Sequence, residues 1–352
     1  MLFEQPQPNT ECPAAAAKPD DDCFPFMTIP SPTTYLLAPL AGYTDLPFRL
    51  ACRRFGLVFA HTPLIDAGAL VHGNRDNPLI LARGPEEPWL ATQVLGARPE
   101  DLRQAGAMLN AMDFDAVDFN MGCPMKKVVN RAAGAALLDD PELALACVQV
   151  LRDVVTKPLT VKLRILDEDD PEPTVAFCRR LRVCGIDGLT IHGRLAAKIY
   201  SGPVAATVIK AVRDSLPEVF PVTANGGIFS LADAERLRLA SGCDRLMVAR
   251  GAIGNPWLFR DLLAGTPSPP ADHGEICAVL HEHIMGMIAL YGETSAMILG
   301  RKTVLSYLCG RGYRRSLRAQ ATAMTTRADF DALFAAVAKE GPIGLPGTGV
   351  GD

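Results

Sequence analysis

Apolar and polar residues follow two periods along this chain, and segments of the two kinds alternate. Eight short runs rich in β-branched and apolar residues predict strands, at 35–41, 57–64, 89–96, 116–122, 159–165, 188–194, 221–227 and 245–251. The segments between them, such as 99–112, 141–155, 173–184 and 230–241, have helical spacing. Eight strand–helix repeats predict an α/β fold, a (β/α)8 TIM barrel. The alternative is a doubly wound sheet. It rarely needs eight strands, and a GxGxxG motif would follow its first strand, where this chain has "PLAGYTD".

The chain continues beyond the eighth repeat with a different pattern. The barrel is expected to span residues 33–263, and the proline-rich segment 264–272 reads as a linker. Helical periodicity at 274–292, 295–310 and 327–340 then predicts a bundle of three or four helices over residues 273–340. The first 32 residues, with seven prolines and an acidic run, predict a disordered leader, and residues 341–352 a disordered tail.

Composition narrows the class of protein. The chain of 352 residues is 49% hydrophobic and 21% charged, as a globular protein is. Its ten cysteines form no CxxC pair, which argues against a disulfide framework or a zinc ribbon and favours a reducing, cytoplasmic location. The two histidines of "HEH" (281–283) diverge on a helix, so we expect no metal. No apolar run reaches the ~18–20 residues of a membrane span, so we expect no membrane association.

Polar side chains occupy the barrel-facing positions near the ends of at least five predicted strands. Alternation across each strand turns inward Gln93, Asp118, Asn120, Lys162, His192 and Asn225. An unpaired buried polar group costs about 1–3 kcal/mol, so a set converging at one barrel mouth indicates a ligand there. The alternative, that these groups satisfy one another in a layered core, stays open for each residue singly.

Two loops indicate what kind of ligand binds. Gly226 and Gly227 follow the seventh strand, and Arg250 follows the eighth, where barrels commonly bind phosphate. Glycines let backbone N–H groups approach an anion, and the arginine adds a fixed charge. With Lys162 and His192 facing the same mouth, a flavin fits, because donors near its pyrimidine end stabilise the reduced ring.

Several motifs together resemble one enzyme family. They are "APLAGYTDLPFR", "TQVLGARPEDL", "DFNMGCPMKKVVNRAAGAALL", "TVKLR", "TIHGR", "TANGGI" and "LMVARGAIGNPWLF". Over residues 34–335 they resemble the flavin-dependent tRNA-dihydrouridine synthases, most closely the bacterial B-type. The resemblance implies an FMN-containing barrel, a helical RNA-binding domain, and reduction of uridine in tRNA to 5,6-dihydrouridine with NADPH.

The resemblance also assigns roles in the stretch "NMGCPMKK". It implies that Cys123 is the general acid that protonates C5 of the uracil while hydride from the flavin reaches C6. A thiol titrates near pH 8.5 and is mostly protonated at neutral pH, so it can donate. Asn120 is expected to orient the base or the flavin. Lys126 and Lys127 are expected to meet tRNA phosphates, with an ordinary solvated face as the alternative.

The remaining cofactor contacts carry over residue by residue. They are Pro39, Leu40 and Ala41 beside the ring, Gln93, Lys162 and His192 as polar contacts, and Asn225, Gly226, Gly227, Ala249 and Arg250 in the phosphate loops. The chain departs from the family at two places. Gly227 stands where Asp is usual after Asn-Gly, and Leu195 stands where Thr follows His-Gly-Arg, which affects the loop around Lys198 and Tyr200.

Charge bears on the RNA partner. Net charge is −4, yet residues 294–327 hold seven Lys or Arg and no acid, which predicts a local basic face that includes Arg314 and Arg315. We expect a monomer that acts on tRNA. Two other classes stay open: a small-molecule FMN oxidoreductase of the dihydroorotate dehydrogenase or old yellow enzyme type, and a non-catalytic RNA-binding protein.

Overall fold

A computed structural model describes residues 33–343 of the chain. Within them, eight parallel strands close into a barrel in which each strand pairs with the next and the last pairs with the first. The strands are β1 (Thr34–Leu37), β2 (Phe59–Asp66), β3 (Trp89–Leu95), β4 (Ala116–Met121), β5 (Leu159–Arg164), β6 (Gly188–His192), β7 (Val222–Asn225) and β8 (Arg245–Val248). The predicted (β/α)8 barrel is confirmed, and the doubly wound alternative is excluded because such a sheet has open edges. The predicted leader, and residues 344–352 of the predicted tail, lie outside the described residues.

Helices follow the strands and cover the barrel. They are α1 (Leu46–Arg53), α2 (Ala67–Val71), α3 (Asn77–Ile80), α4 (Pro99–Ala111), α5 (Lys126–Val129), α6 (Pro141–Val154), α7 (Glu172–Val183), α8 (Ala206–Ser215), α9 (Leu231–Ser241) and α10 (Leu258–Ala264). Their starts are encoded locally. Asp140 caps α6 by accepting a hydrogen bond from the Leu143 N–H, and Pro141 stands at the first position, where no N–H is needed.

Seven of the eight strands end earlier than their apolar patterns predicted, whereas β2 runs on to Asp66. On β1 the last ladder bond runs from the Ala38 N–H to the Val248 carbonyl, and Pro39 has no N–H with which to continue it. After β7, Gly226 and Gly227 have φ values of 133° and 70°, outside the range of a strand. The residues predicted as strand ends therefore form loops at the carboxyl end of the barrel.

Four helices follow in residues 273–340: α11 (His273–Tyr291), α12 (Glu293–Leu308), α13 (Arg315–Ala323) and α14 (Arg327–Glu340). The predicted bundle of three or four helices is confirmed, and α13 is the helix that no named periodic segment covered. These helices share a hydrophobic cluster of their own, which includes Tyr307, Leu317 and Phe330.

The C-terminal helices also pack against the loop after β1 and against α1. The ring of His283 stacks on Phe48 at 5.7 Å between centroids, and the Tyr291 hydroxyl donates to Asp45 at 2.9 Å. The Lys302 ammonium lies 4.3 Å from the centre of the Tyr43 ring. Because the residues from Thr33 onward cluster as one compact unit, a domain boundary at residues 264–272 remains a prediction.

Candidate active site

A cavity of about 510 Å³ opens at the carboxyl ends of the strands. Its wall is formed by the ends of β4 to β8 and by the loops that follow them and β1. Most of the predicted site residues line it: Pro39, Leu40, Ala41, Asn120, Cys123, Lys127, Lys162, His192, Asn225, Gly226, Gly227, Ala249 and Arg250. The inward alternation read from the strands is therefore confirmed for Asn120, Lys162, His192 and Asn225.

Cys123 stands in a short loop between β4 and α5, which we call the Cys123 loop (residues 122–125). The Asn120 side-chain oxygen accepts hydrogen bonds from the backbone N–H groups of Gly122, at 3.1 Å, and Cys123, at 3.0 Å. The Cys123 carbonyl in turn accepts from the Ala135 N–H at 3.0 Å. Both sides of the loop are thus held, and the half-buried thiol lines the cavity.

The small-residue run after Cys123 allows this arrangement. Gly134 has φ 63°, and a Cβ there would lie 2.6 Å from the Cys123 carbonyl oxygen and 2.8 Å from a Val128 methyl carbon. A Cβ atom does not lie this close to a non-bonded atom, so the two backbone segments can approach each other only because residue 134 is a glycine. Val128 and Ala133 pack beside Cys123 in a small apolar cluster, which completes the support of the loop.

Lys162 supplies a cation to the cavity. Its ammonium donates to the Asn225 side-chain oxygen at 2.9 Å, and the Asn225 amide donates to the Met247 carbonyl at 2.8 Å. Burial lowers the pKa of Lys162 to about 8, while the negative charge of Asp118 acts in the opposite direction. Lys162 therefore remains mostly protonated at pH 7.

His192 is a neutral donor or acceptor at pH 7. Burial, together with the positive charges of Lys162 and three arginines, lowers its pKa to about 2. Of the two inward residues expected near a flavin ring, Lys162 brings a charge and His192 brings a hydrogen-bonding group without one.

The two predicted phosphate loops meet beside His192. A Cβ on Gly226 would lie 3.0 Å from the His192 ring, so this glycine also permits a close approach. The Arg250 guanidinium stacks 4.0 Å from the centre of the Tyr200 ring and 5.6 Å from that of Phe229. The glycine loop after β7 and the Arg250 cation thus both line the cavity.

Gln93 does not line the cavity, although it was predicted to contact the cofactor. It is fully buried on β3 beneath the cavity, where its amide nitrogen donates to Asp118 at 2.7 Å and its oxygen accepts from Asn120 at 2.8 Å. Gln93 pairs in register with Asp118, whereas Asn120 pairs with Lys162, one layer nearer the mouth.

Arg164 is a functional residue that the site prediction left out. It lines the cavity, and its Nε donates to the Gly122 carbonyl at 2.8 Å while Nη1 donates to the Ile199 carbonyl at 2.9 Å. It thereby connects the Cys123 loop to the loop after β6, which carries Tyr200. The signal was present, because Arg164 shares the inward face of β5 with Lys162.

The remaining predicted contacts lie on the surface. Lys126 is exposed on α5, next to the lining residue Lys127. Arg314 and Arg315 are exposed, and Arg314 is 3.6 Å from Glu340. Arg327 pairs with Asp331 at 2.7 Å. The basic stretch 294–327 therefore has counter-charges that its own sequence does not contain, supplied by α14.

Two features are absent from residues 33–343. No helix there is long and apolar enough to cross a membrane. No group of three or more His, Cys, Asp or Glu side chains in that range is arranged to hold a metal ion.

Comparison with known proteins identifies the family to which the chain belongs. The family model described as dihydrouridine synthase matches residues 36–340. The tRNA-dihydrouridine synthase B of Pseudomonas aeruginosa is 33% identical over 293 residues, 82% of this chain and 88% of that protein. The tRNA-dihydrouridine synthase B of Pasteurella multocida is 33% identical over 78% of this chain and 83% of that protein. That of Shewanella oneidensis is 33% identical over 84% of this chain and 92% of that protein. The resemblance read from the motifs is confirmed, and the chain belongs to the dihydrouridine synthase family.

Proposed function

We propose that this enzyme reduces specific uridines of tRNA to 5,6-dihydrouridine, with FMN as cofactor and NADPH as reductant. Family membership and relatives named tRNA-dihydrouridine synthase B support the reaction and the substrate. The observation that carries the proposal is the position of Cys123, a thiol held at the cavity wall among polar groups, where the described lining residues include no Asp or Glu. A monomeric state and a cytoplasmic location remain predictions.

The cavity residues fit FMN. Gly226, Gly227 and Ala249 line the cavity with backbone and small side chains that a phosphate can approach, and Arg250 offers it a charge. A β-carbon at Gly226 would meet the His192 ring, so the loop tolerates no bulk there. The absence of a carboxylate at Gly227, where the family has Asp, leaves this side of the cavity positive and therefore suited to a phosphate.

The rest of the cavity suits an isoalloxazine ring. Pro39, Leu40 and Ala41 form an apolar strip of loop on one side, and Lys162, His192 and Asn225 form a polar edge. The Lys162 ammonium favours negative charge at that edge. Gln93 acts on the site from beneath, through Asn120, rather than by contact. When bound, FMN supplies the hydride that reaches C6 of the uracil.

Cys123 supplies the proton. Uridine, NADPH and one proton yield dihydrouridine and NADP+, so a proton must reach C5 as hydride reaches C6. The Cys123 thiol donates it, and the thiolate that remains takes up a proton from solvent before the next turnover. Asn120 fixes the backbone of this loop, and Arg164 holds its Gly122 carbonyl, so the thiol is positioned before the base arrives.

The RNA is proposed to reach the cavity across positive side chains. Lys127 lines the mouth and Lys126 is exposed beside it, so both can meet phosphates near the reacting base. Arg314 and Arg315 are proposed to bind phosphates further along the strand. For Arg314 this requires exchange of its partner Glu340 for a phosphate.

Replacing Cys123 by alanine tests the assignment. Cys123→Ala should abolish dihydrouridine formation in tRNA, since the proton donor is missing, and leave reduction of the flavin by NADPH within about twofold of wild type, since no thiol is needed there. Cys309→Ala is the matched control, because Cys309 is exposed at the end of α12 and outside the cavity. If Cys123→Ala modified tRNA as fast as the control, some other group would be the acid. Flavin oxidation that does not depend on tRNA would favour a small-molecule substrate instead.

A further inference from the structure

Asp118 is a buried carboxylate that does not reach the cavity. It lies on β4, two residues before Asn120, and is fully inaccessible to solvent. One of its oxygens accepts from the Gln93 amide at 2.7 Å, and the other accepts from the Thr160 hydroxyl at 2.5 Å. Burying a charged group is costly unless it has such partners, so its presence requires a reason.

A chain of hydrogen bonds runs from this carboxylate to the catalytic loop. The Gln93 side-chain oxygen accepts from the Asn120 amide at 2.8 Å, and the Asn120 oxygen accepts from the N–H groups of Gly122 and Cys123. Three side chains thus connect the bottom of the barrel mouth to the backbone of Cys123: those of Asp118, Gln93 and Asn120.

The direction of this chain is determined at both ends. Backbone N–H groups can only donate, so the Asn120 oxygen must face the Cys123 loop and its amide must face Gln93. The Gln93 oxygen must then face Asn120, and its amide needs an acceptor on the other side. A carboxyl oxygen of Asp118 is that acceptor, so Asp118 holds Gln93 in this orientation.

Burial and the groups around the carboxyl act in opposite directions. Burial, the larger influence, raises the pKa of Asp118, whereas the bonds from Thr160 and Gln93 and the charge of Lys162 lower it. A carboxyl oxygen accepts from the Gln93 amide in either protonation state, so the chain to Cys123 rests on its geometry.

We propose that Asp118 is a positioning residue for Cys123, acting through Gln93 and Asn120 to hold the Cys123 loop against its support at Gly134. This inference rests on the proposed function only in that Cys123 is the proton donor. The chain uses the Asn120 oxygen and one amide hydrogen, which leaves the second amide hydrogen for a ligand. Asn120 thus serves the loop and the cavity together.

The test measures how readily the Cys123 thiol reacts in the full-length FMN-loaded enzyme, without tRNA or NADPH. Iodoacetamide alkylation is followed by mass spectrometry at Cys123 and, as an internal reference, at the exposed Cys309. Asp118→Ala removes the acceptor and should raise the ratio of the Cys123 rate to the Cys309 rate about tenfold, the order expected when a buried amide loses its hydrogen-bond acceptor.

Two further variants separate positioning from general damage. Asp118→Asn should stay within about twofold of wild type, because its oxygen can still accept from Gln93 while its amide donates to the Thr160 hydroxyl. Thr160→Val should also stay within about twofold, because it removes a partner of Asp118 and leaves the chain to Cys123 intact. Thr160 is not among the residues that line the cavity.

Breaking the same chain twice should add little. Gln93→Leu should raise the ratio about as much as Asp118→Ala, and the double variant should add less than twofold, because the two changes interrupt one connection. If Asp118→Ala does not fold, the alkylation ratio of Gln93→Leu compared with that of Thr160→Val tests the proposal instead. Unchanged ratios in the chain variants, multiplying effects in the double variant, or an equal rise in Thr160→Val would overturn the proposal. Because no substrate is used, that failure is distinct from a failure of the proposed reaction.

Discussion

Gly134 offers a measurable link between backbone geometry and proton transfer. Gly134→Ala places a methyl group 2.6 Å from the Cys123 carbonyl oxygen, where ordinary contact begins at 3.4 Å, so the Cys123 loop must move by about 0.8 Å. The substitution also puts an alanine at φ 63°, which costs about 1–2 kcal/mol in a left-handed conformation. Reduced freedom of the unfolded chain returns about 0.4–1 kcal/mol of this.

A second glycine allows the two effects to be separated. Gly242, at the end of α9, has φ 67°, and a Cβ there would meet nothing within 4 Å. Gly242→Ala should therefore lower the free energy of unfolding by about 1 kcal/mol, from backbone strain alone. Gly134→Ala adds overpacking of about 1–3 kcal/mol, so its loss should be about 2–4 kcal/mol.

The activity of the two variants should differ more than their stability. A displacement near 1 Å at a reacting group can cost about 100-fold, so tRNA reduction by Gly134→Ala should fall at least about tenfold. Flavin reduction by NADPH should stay within about twofold, because the thiol takes no part in it. Urea unfolding measures the free energies of unfolding of the two variants. Stopped-flow absorbance measures their flavin reduction, and single-turnover assays measure their dihydrouridine formation. Equal tRNA reduction by Gly134→Ala and Gly242→Ala would show that the thiol position does not depend on this contact.

Three other results are expected. Acid precipitation should release one non-covalent FMN per chain, and a colourless protein that FMN cannot reconstitute would contradict the assignment of residues 225–227 and 249–251. Arg314→Glu with Arg315→Glu should leave FMN content unchanged and flatten the slope of log tRNA affinity against log salt by about 1.4–1.8, while Arg236→Glu on α9 should not; an unchanged slope would mean a solvated face. Burial lowers the pKa of His283 to about 3 in the folded protein. As the pH falls, His283 is therefore protonated in the unfolded chain before it is protonated in the folded one. The stabilising effect of neutral His283 is present above pH 6.5 and is lost progressively below it. The difference in free energy of unfolding between wild type and His283→Gln, measured by urea titration, should therefore narrow by about 2 kcal/mol from pH 7 to pH 5. A constant difference would contradict this.

Sequence periodicity predicted the barrel and the side of each strand, because both depend on local alternation. Lys162, His192 and Asn225 face the cavity for that reason. The same alternation gives no depth along the barrel axis. Gln93 shares its inward face with Asn120 in principle, yet strand register places it one layer lower, where it supports rather than lines the site. Depth is set by the stagger between strands, which no single strand encodes.

Long-range partners were also beyond a local reading. The stretch 294–327 contains no acid, but the chain returns in α14 and brings Glu340 and Asp331 to Arg314 and Arg327. The interaction of Arg164 with the carbonyls of two separate loops is of the same kind. The role of a residue that joins distant segments is recognised only after the fold has placed those segments. The role of a residue that follows a strand pattern can be predicted from the sequence.

The packing of the C-terminal helices on the loop after β1 limits how this enzyme can be cut or recombined. Tyr291 holds Asp45, the residue that caps α1, and Lys302 covers Tyr43 in the cavity wall. A barrel expressed without these helices would expose Phe48 and leave that loop without its outer support. Chimaeras between relatives should therefore exchange residues 39–55 together with the C-terminal helices, because the two segments pack on each other although more than 200 residues separate Asp45 from Tyr291.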